Sequence, residues 1–293
     1  MQKNKKKANL TPLFLILPVV IWLSFFLIAP YGVMFDLSLR DSGDKSFSTY
    51  ANPIYANYDK FISQPPYPTV LFNSILYAGI STFVVILICY PFAYFAARGK
   101  WGKFILFVVF IPYLAPYLVR IFSWRVILGR SGIVNQFLML TGITDSPLSW
   151  ILFSKVSLVI GMVYLFLPVM TIPVYLSLKR IDKFLIEASQ DLGAGVWRTF
   201  RYVIFPLSKP GLLVGFLLTF VPLTLEFLTP ALLGGTDTGL LMGDVIFTYF
   251  TTGKNKPVAA SISYVMMAAT VVLMFMVIRS AGIQKVFGGQ GRN

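Results

Sequence analysis

Long stretches of this chain carry no charged side chain, among them residues 8–35, 156–178 and 257–278. A mainly apolar run of about 20 residues crosses a hydrocarbon core of about 30 Å as a helix. A bilayer interior offers no water to backbone polar groups, so helices and closed barrels are its only spanning forms. The overall proportions agree, since 57% of the 293 residues are hydrophobic and only 12% are charged, half the share usual in soluble domains. The sequence therefore predicts an all-α membrane protein with six transmembrane helices over 12–35, 69–97, 104–128, 154–178, 210–233 and 257–279. Several contain proline (Pro18, Pro91, Pro112, Pro116, Pro168, Pro173 and Pro222). These are expected to kink the helices without breaking them, because neighbours satisfy the freed backbone groups.

The start, MQKNKKK followed by an apolar run, has the outline of a secretory signal. The run is long for one and has no small-x-small site before Tyr31, so it is expected to stay as the first span. Six spans put both termini on one side, and lysine and arginine say which. The tail at 1–9, residues 98–103, residues 179–209 and residues 279–293 hold most of the 25 basic residues, against three acids, Asp182, Glu187 and Asp191. By the positive-inside rule that side, with both termini, is cytoplasmic. The net charge of +14 is then mainly an orientation signal. Nucleic-acid binding is disfavoured, since the basic residues are dispersed over loops between spans. The one cysteine, Cys89, lies in an apolar run, so no intramolecular disulfide is available.

The cytoplasmic loop 179–209 is unusual for a connector. It mixes acids, bases, two close glycines and a proline. Ile181, Leu185, Ala188 and Leu192 fall near helical spacing. Asp182 is placed to cap the start, and Gly193 and Gly195 to end the helix. A second short helix is expected over 196–203, after which Pro206 and Pro210 steer the chain back into the bilayer. Such a helix–turn–helix is either an amphipathic connector on lipid head groups or a docking surface. Glu187 and Asp191 favour docking, because an anionic leaflet repels them.

The run Glu187-Ala188-Ser189, Asp191-Leu192-Gly193-Ala194 and Ile204-Phe205-Pro206-Leu207 resembles the EAA signature of ABC importer permeases. Ser189 stands for the third alanine and Phe205 where leucine is common. Further likeness, to permeases of the spermidine/putrescine type, lies in Tyr117-Leu118-Val119-Arg120 with Ser123-Trp124, in Gly132-Ile133-Val134-Asn135, in Glu226-Phe227-Leu228-Thr229-Pro230 with Leu232-Leu233-Gly234-Gly235, and in residues 255–261, where Lys256 replaces a tryptophan. The likeness runs over about residues 10–280, the expected permease domain, and is to the first of the two permeases such systems usually encode.

The resemblance implies a type I ABC importer permease fold in a bacterial cytoplasmic (inner) membrane, among membrane lipid. It implies a second permease subunit, two ATP-binding cassette subunits that bind ATP and Mg, and an extracytoplasmic solute-binding protein. The solute would be a polyamine or a related small organic amine. Glu187, Ala188, Ser189, Asp191 and Gly193 would lie at the ATPase contact, with Glu187 facing a basic group. This chain would be a transport subunit, with no cofactor of its own and no catalysis. The residues agree: no phosphate-binding G-x-x-x-x-G-K-[ST] loop occurs. The chain also has no histidine, the commonest metal ligand and the usual serine-hydrolase base.

Three ionisable residues interrupt the outward-running spans: Arg120, Arg125 and Glu226. Counted from Phe104 and Pro210, Arg120 and Glu226 both lie about 24 Å in, at 1.5 Å per residue. They either pair, line a solute path or snorkel to the interface; Arg125, nearer the exit, is expected to snorkel. Trp124 is either an interface anchor or, with Tyr117, Tyr164 and Phe166, part of the path. The segments 36–68, 129–150 and 234–256 are expected outside, as surface or as seats for the binding protein. A stand-alone carrier driven by an ion gradient is the competing reading. It would need a coupling site, for which Glu226 is the only obvious carboxylate, and it leaves the EAA loop unexplained.

Overall fold

The computed structural model describes residues 11–235, 241–253 and 255–280. The basic tail at 1–9 and the tail at 281–293 lie outside them. The order is α1 (Thr11–Leu23), a π-helical turn (Ser24–Ile28), α2 (Ala29–Ser38), α3 (Ala56–Ser63), α4 (Tyr67–Arg98), α5 (Gly102–Phe110), a 3-10 turn (Ile111–Leu114), α6 (Tyr117–Ile127), α7 (Ile133–Leu140) and α8 (Lys155–Lys179). Then come α9 (Lys183–Asp191), α10 (Val196–Thr199), a second π-helical turn (Phe200–Ile204), α11 (Phe205–Thr224), α12 (Leu228–Leu233), α13 (Met242–Thr251) and α14 (Lys256–Ser280). Five helical runs are long and apolar enough to span: 16–38, 67–98, 155–179, 196–224 and 256–279. The sixth crossing is a broken pair, Gly102–Leu114 and Tyr117–Ile127, bent by 96°.

That bend corrects the expected straight third span. Pro116 has no N–H to donate and forces Ala115 out of the helical region; Ala115 sits at φ −80°, ψ 141°. The depth assigned to Arg120 fails with it, because α6 no longer advances along the axis of α5. The fifth span differs at both ends. It runs unbroken from Val196 through Pro206 and Pro210, then stops at Leu225 instead of reaching residue 233. Pro206 is tolerated because it falls in the first turn after the π-helical turn, where its missing N–H matters least. Pro30 follows the first π-helical turn in the same way. The connecting segments also hold the helices α3, α7 and α13, which loop composition did not announce.

Helices α4, α8 and α11 form the centre, with α4 packed on α8 and α8 on α11 most extensively. Association of helices in lipid rests on close packing of small residues. A Cβ on Gly211 would come within 2.3 Å of the Pro173 carbonyl, and one on Gly215 within 3.1 Å of Met170. This Gly-x-x-x-Gly face lets α11 lie directly on α8, and the sequence reading passed over it. Gly161 of α8 receives Leu233 and Thr229 in the same way. At one end, Ser74 of α4 accepts the Met242 N–H that opens α13, at 2.7 Å. The segment between α2 and α3 folds on itself. Arg40 bonds Asp36 at 2.8 Å and lies 4.2 Å over Tyr50. Asp44 is held well below the usual carboxylate range by the Ser46 hydroxyl first, then by Ser46, Ser48 and Thr49 together.

Gly211→Val is expected to destabilise the detergent-solubilised protein by about 1–3 kcal/mol through overpacking. Gly79→Val is its control, since nothing lies within 4 Å of a Cβ there. Thermal unfolding of both variants checks the difference, and equal midpoints would contradict close α8–α11 packing.

Candidate functional site

Two arrangements account for the residues singled out in the sequence. The first is the elbow between α8 and α11. Asp182 caps α9 as expected, accepting the Phe184 N–H at 3.0 Å. The helix closes on Gly193, whose φ of +84° is the left-handed conformation that glycine adopts without strain. Gly193 N–H donates to the Gln190 carbonyl at 2.8 Å and Ala194 N–H to that of Ser189 at 3.0 Å, the paired bonds of a Schellman ending. The second expected helix is the first turn of the fifth span itself, so the elbow's outgoing arm and α11 are one rod.

The elbow's root is buried. Ile181 and Ile204 join Val174, Leu178, Val85, Cys89 and Ala93 in one apolar core, with Ile186 and Phe200 against it. Tyr90 of α4 meets the Phe200 ring edge-on at 5.7 Å and shares a 2.7 Å hydrogen bond with Ser208. The tip is the opposite. Leu192 is 89% exposed, Val196 81% and Trp197 73%, and Phe184 and Leu185 are exposed beside them. Glu187, Asp191 and Gly193 are exposed, and Ala188 is half-buried. Ser189 faces inward. Its hydroxyl donates to the Ile186 carbonyl at 2.8 Å and pairs with the buried Thr199 at 2.9 Å, bracing one arm against the other.

The second arrangement joins the two breaks. Glu226 lies in the gap between α11 and α12 and is only 8% exposed. Its Oε1 accepts the N–H groups of Leu228 and Thr229, each at 2.9 Å, and the Thr229 hydroxyl at 3.1 Å. These are donors that a helix start leaves unpaired, and a carboxylate there also meets the positive end of the helix dipole. Its Oε2 accepts the Tyr117 hydroxyl at 2.5 Å. Tyr117 opens α6 just past the Ala115–Pro116 break, so one short bond links the two interrupted spans.

Arg120 and Glu226 do not form an ion pair. The Arg120 guanidinium lies 4.2 Å from the Tyr113 ring centre and 5.6 Å from that of Tyr117, which stands between it and Glu226. Its Nε is buried without a partner. Trp124 meets Tyr164 edge-on at 5.4 Å. Tyr117, Trp124, Tyr164 and Phe166 pack around Ile121, Leu165 and Leu233. All six residues picked from the sequence here thus fall in one cluster. Arg125 stays exposed, 5.4 Å from the Phe153 ring. The sequence reading missed Tyr113, whose hydroxyl donates to the Leu165 carbonyl at 2.8 Å.

Residues 89–287 match the family described as "Binding-protein-dependent transport system inner membrane component". The chain belongs to that family. It is therefore a multi-pass inner-membrane component of a binding-protein-dependent transport system. Over 261 residues it is 35% identical to the spermidine/putrescine transport system permease protein PotB of Haemophilus influenzae, covering 88% of this chain and 90% of that one. It is 34% identical over 251 residues to the PotB of Escherichia coli, covering 85% and 90%. A solved bacterial ABC transporter that imports the acidic polysaccharide alginate contains a chain of the same fold, with TM-score 0.74, 15% identity and coverage of 93% and 95%. The permease fold expected from the EAA resemblance is thus the fold observed, with its third crossing broken.

A double-mutant cycle with Tyr117→Phe and Glu226→Gln is expected to give a coupling of about 1–2 kcal/mol in detergent unfolding, since the bond involves a charged acceptor. The same cycle with Arg120→Gln is expected to give a smaller coupling. The reverse order would restore a direct Arg120–Glu226 pair.

Proposed function

We propose that this chain is one of two permease subunits of an ABC importer for a polyamine or a related small organic amine, driven through the elbow at 183–203 by partner ATPase subunits. The observation that carries this reading is the elbow's contrast between a root locked into the core and an apolar tip open to solvent. An apolar patch of that kind, flanked by charge, marks a surface that a partner covers. The acidic neighbours Glu187 and Asp191 make an anionic lipid surface a poor cover. Glu187, at the first EAA position, stands free on α9 to meet a basic group of that partner. ATP and Mg belong to the partner, and an extracytoplasmic binding protein delivers the solute.

The mechanism follows from continuity. Force on the elbow reaches α11 without crossing a loop, because the outgoing arm and the span are one helix. It reaches α8 through the Gly211–Gly215 face. At the far end of α11 lies the break held by Glu226 and Tyr117. Broken helices that meet inside a transporter are where solutes are commonly held and gated. A rigid-body tilt of α11 moves Glu226 relative to α6, which opens or closes that junction. The solute class rests on the PotB relatives. The rings of Tyr113 and Tyr117 beside Arg120 agree, since ring faces that accept a guanidinium also accept an alkylammonium.

Glu187→Arg is expected to leave the protein inserted and to abolish solute-stimulated ATP hydrolysis by the assembled complex. Normal stimulation would contradict docking through Glu187, and failure of any ATPase subunit to copurify with the wild-type chain would favour the ion-driven carrier. In proteoliposomes, spermidine or putrescine is expected to compete with the labelled solute and an organic anion is not. Competition by the anion alone would overturn the amine reading.

A further inference from the structure

Arg98 counts at first only as one of the basic residues that orient the chain. Its surroundings give it a second role. It is the last residue of α4, a 32-residue helix about 48 Å long, so its side chain leaves α4 beyond the hydrocarbon core. One nitrogen, Nη2, donates to the Ile181 carbonyl at 2.8 Å and to the Leu178 carbonyl at 3.2 Å. Leu178 lies in the last turn of α8. Ile181 immediately precedes Asp182, the cap of α9. Carbonyls at a helix end lack intrahelical partners, and a cation there is favoured by the helix dipole.

We propose that Arg98 is the strut that carries displacement of the elbow into α4. This rests on the reading that a partner ATPase moves the elbow. Residues 180–182 are non-helical, and they are the one place where the incoming arm can swing without moving α8. Arg98 pins that hinge from a third helix, holding the Leu178 carbonyl where α8 ends and the Ile181 carbonyl within the hinge itself. A hinge pinned in this way cannot flex alone, so α4, α8 and the elbow move together. The guanidinium's Nε is buried with no partner. That is a cost which a residue kept only for its positive charge at a loop would not meet. Both carbonyls are reached from the one nitrogen Nη2, held in place by a planar guanidinium that a flexible lysine ammonium lacks. Arg98 touches no solute and acts through the elbow, so it is a positioning residue.

The test uses the whole transporter, reconstituted with its partner permease, ATPase subunits and binding protein, carrying Arg98→Gln or Arg98→Lys. Solute uptake and ATP hydrolysis are measured on the same vesicles, and amide exchange is followed over 179–186. In Arg98→Gln, with subunit stoichiometry unchanged, uptake per ATP is expected to fall about fivefold or more, the scale of coupling between distant sites. Exchange at 179–186 is expected to quicken. Arg98→Lys, keeping the charge and one bond, is expected to fall between. An assembled Arg98→Gln complex with normal uptake per ATP would overturn the strut. If that variant does not assemble, Arg98→Lys is read the same way, and unaltered uptake per ATP there overturns it. Loss of ATPase association in the wild-type chain would instead overturn the coupling reading itself, and the strut with it.

Discussion

A peptide group in the bilayer interior has no water to bond, so each interruption of a spanning helix needs a local remedy. This chain interrupts two spans and remedies them jointly. At the first break, Pro116 removes a donor that would otherwise be orphaned. At the second, Glu226 takes up the two N–H groups that open α12 and the Thr229 hydroxyl. Tyr117 closes the account by bonding the remaining carboxylate oxygen. The cost of burying a carboxylate is thus met by four hydrogen bonds, and the two breaks are held against each other. An interrupted helix is a place where a membrane protein can change shape without unfolding, and here two such places share one bond.

The rest of the centre is stiff by contrast. Helices α8 and α11 approach so closely that glycine is required at the contact. The elbow is built the same way: its ends are buried, its arms are braced by Ser189 and Thr199, and its turn is closed by a Schellman pair. Stiffness at one end of α11 and a break at the other suit a part that transmits a push. Dispersed flexibility would dissipate it.

The sequence made some of this legible and hid the rest for physical reasons. Charge-free runs located the crossings, because the cost of a charge in lipid is local and large. Asp182 and Gly193 marked the first arm of the elbow, because capping is a local interaction of one side chain or one φ angle. The bend at Ala115–Pro116 was not legible, since a proline kinks a helix or breaks it according to which neighbours satisfy the freed groups. Glu226 was found as an intramembrane charge, but its partners Leu228, Thr229 and Tyr117 were not. The local signal was Pro230 inside the first turn of a short helix, whereas Tyr117 lies 109 residues away in sequence. The bond between Ser189 and Thr199, ten residues on, was not legible either, because it depends on how the two arms of the elbow pack.

The central claim is that the exposed crown of the elbow is covered by a nucleotide-hydrolysing subunit. The most direct measurement places a photo-crosslinking amino acid at Leu192, the most exposed apolar residue of the crown, in the assembled transporter. Irradiation is predicted to join this chain to the ATPase subunit with high yield. Capture of lipid alone, in a complex of full subunit composition, would contradict the claim.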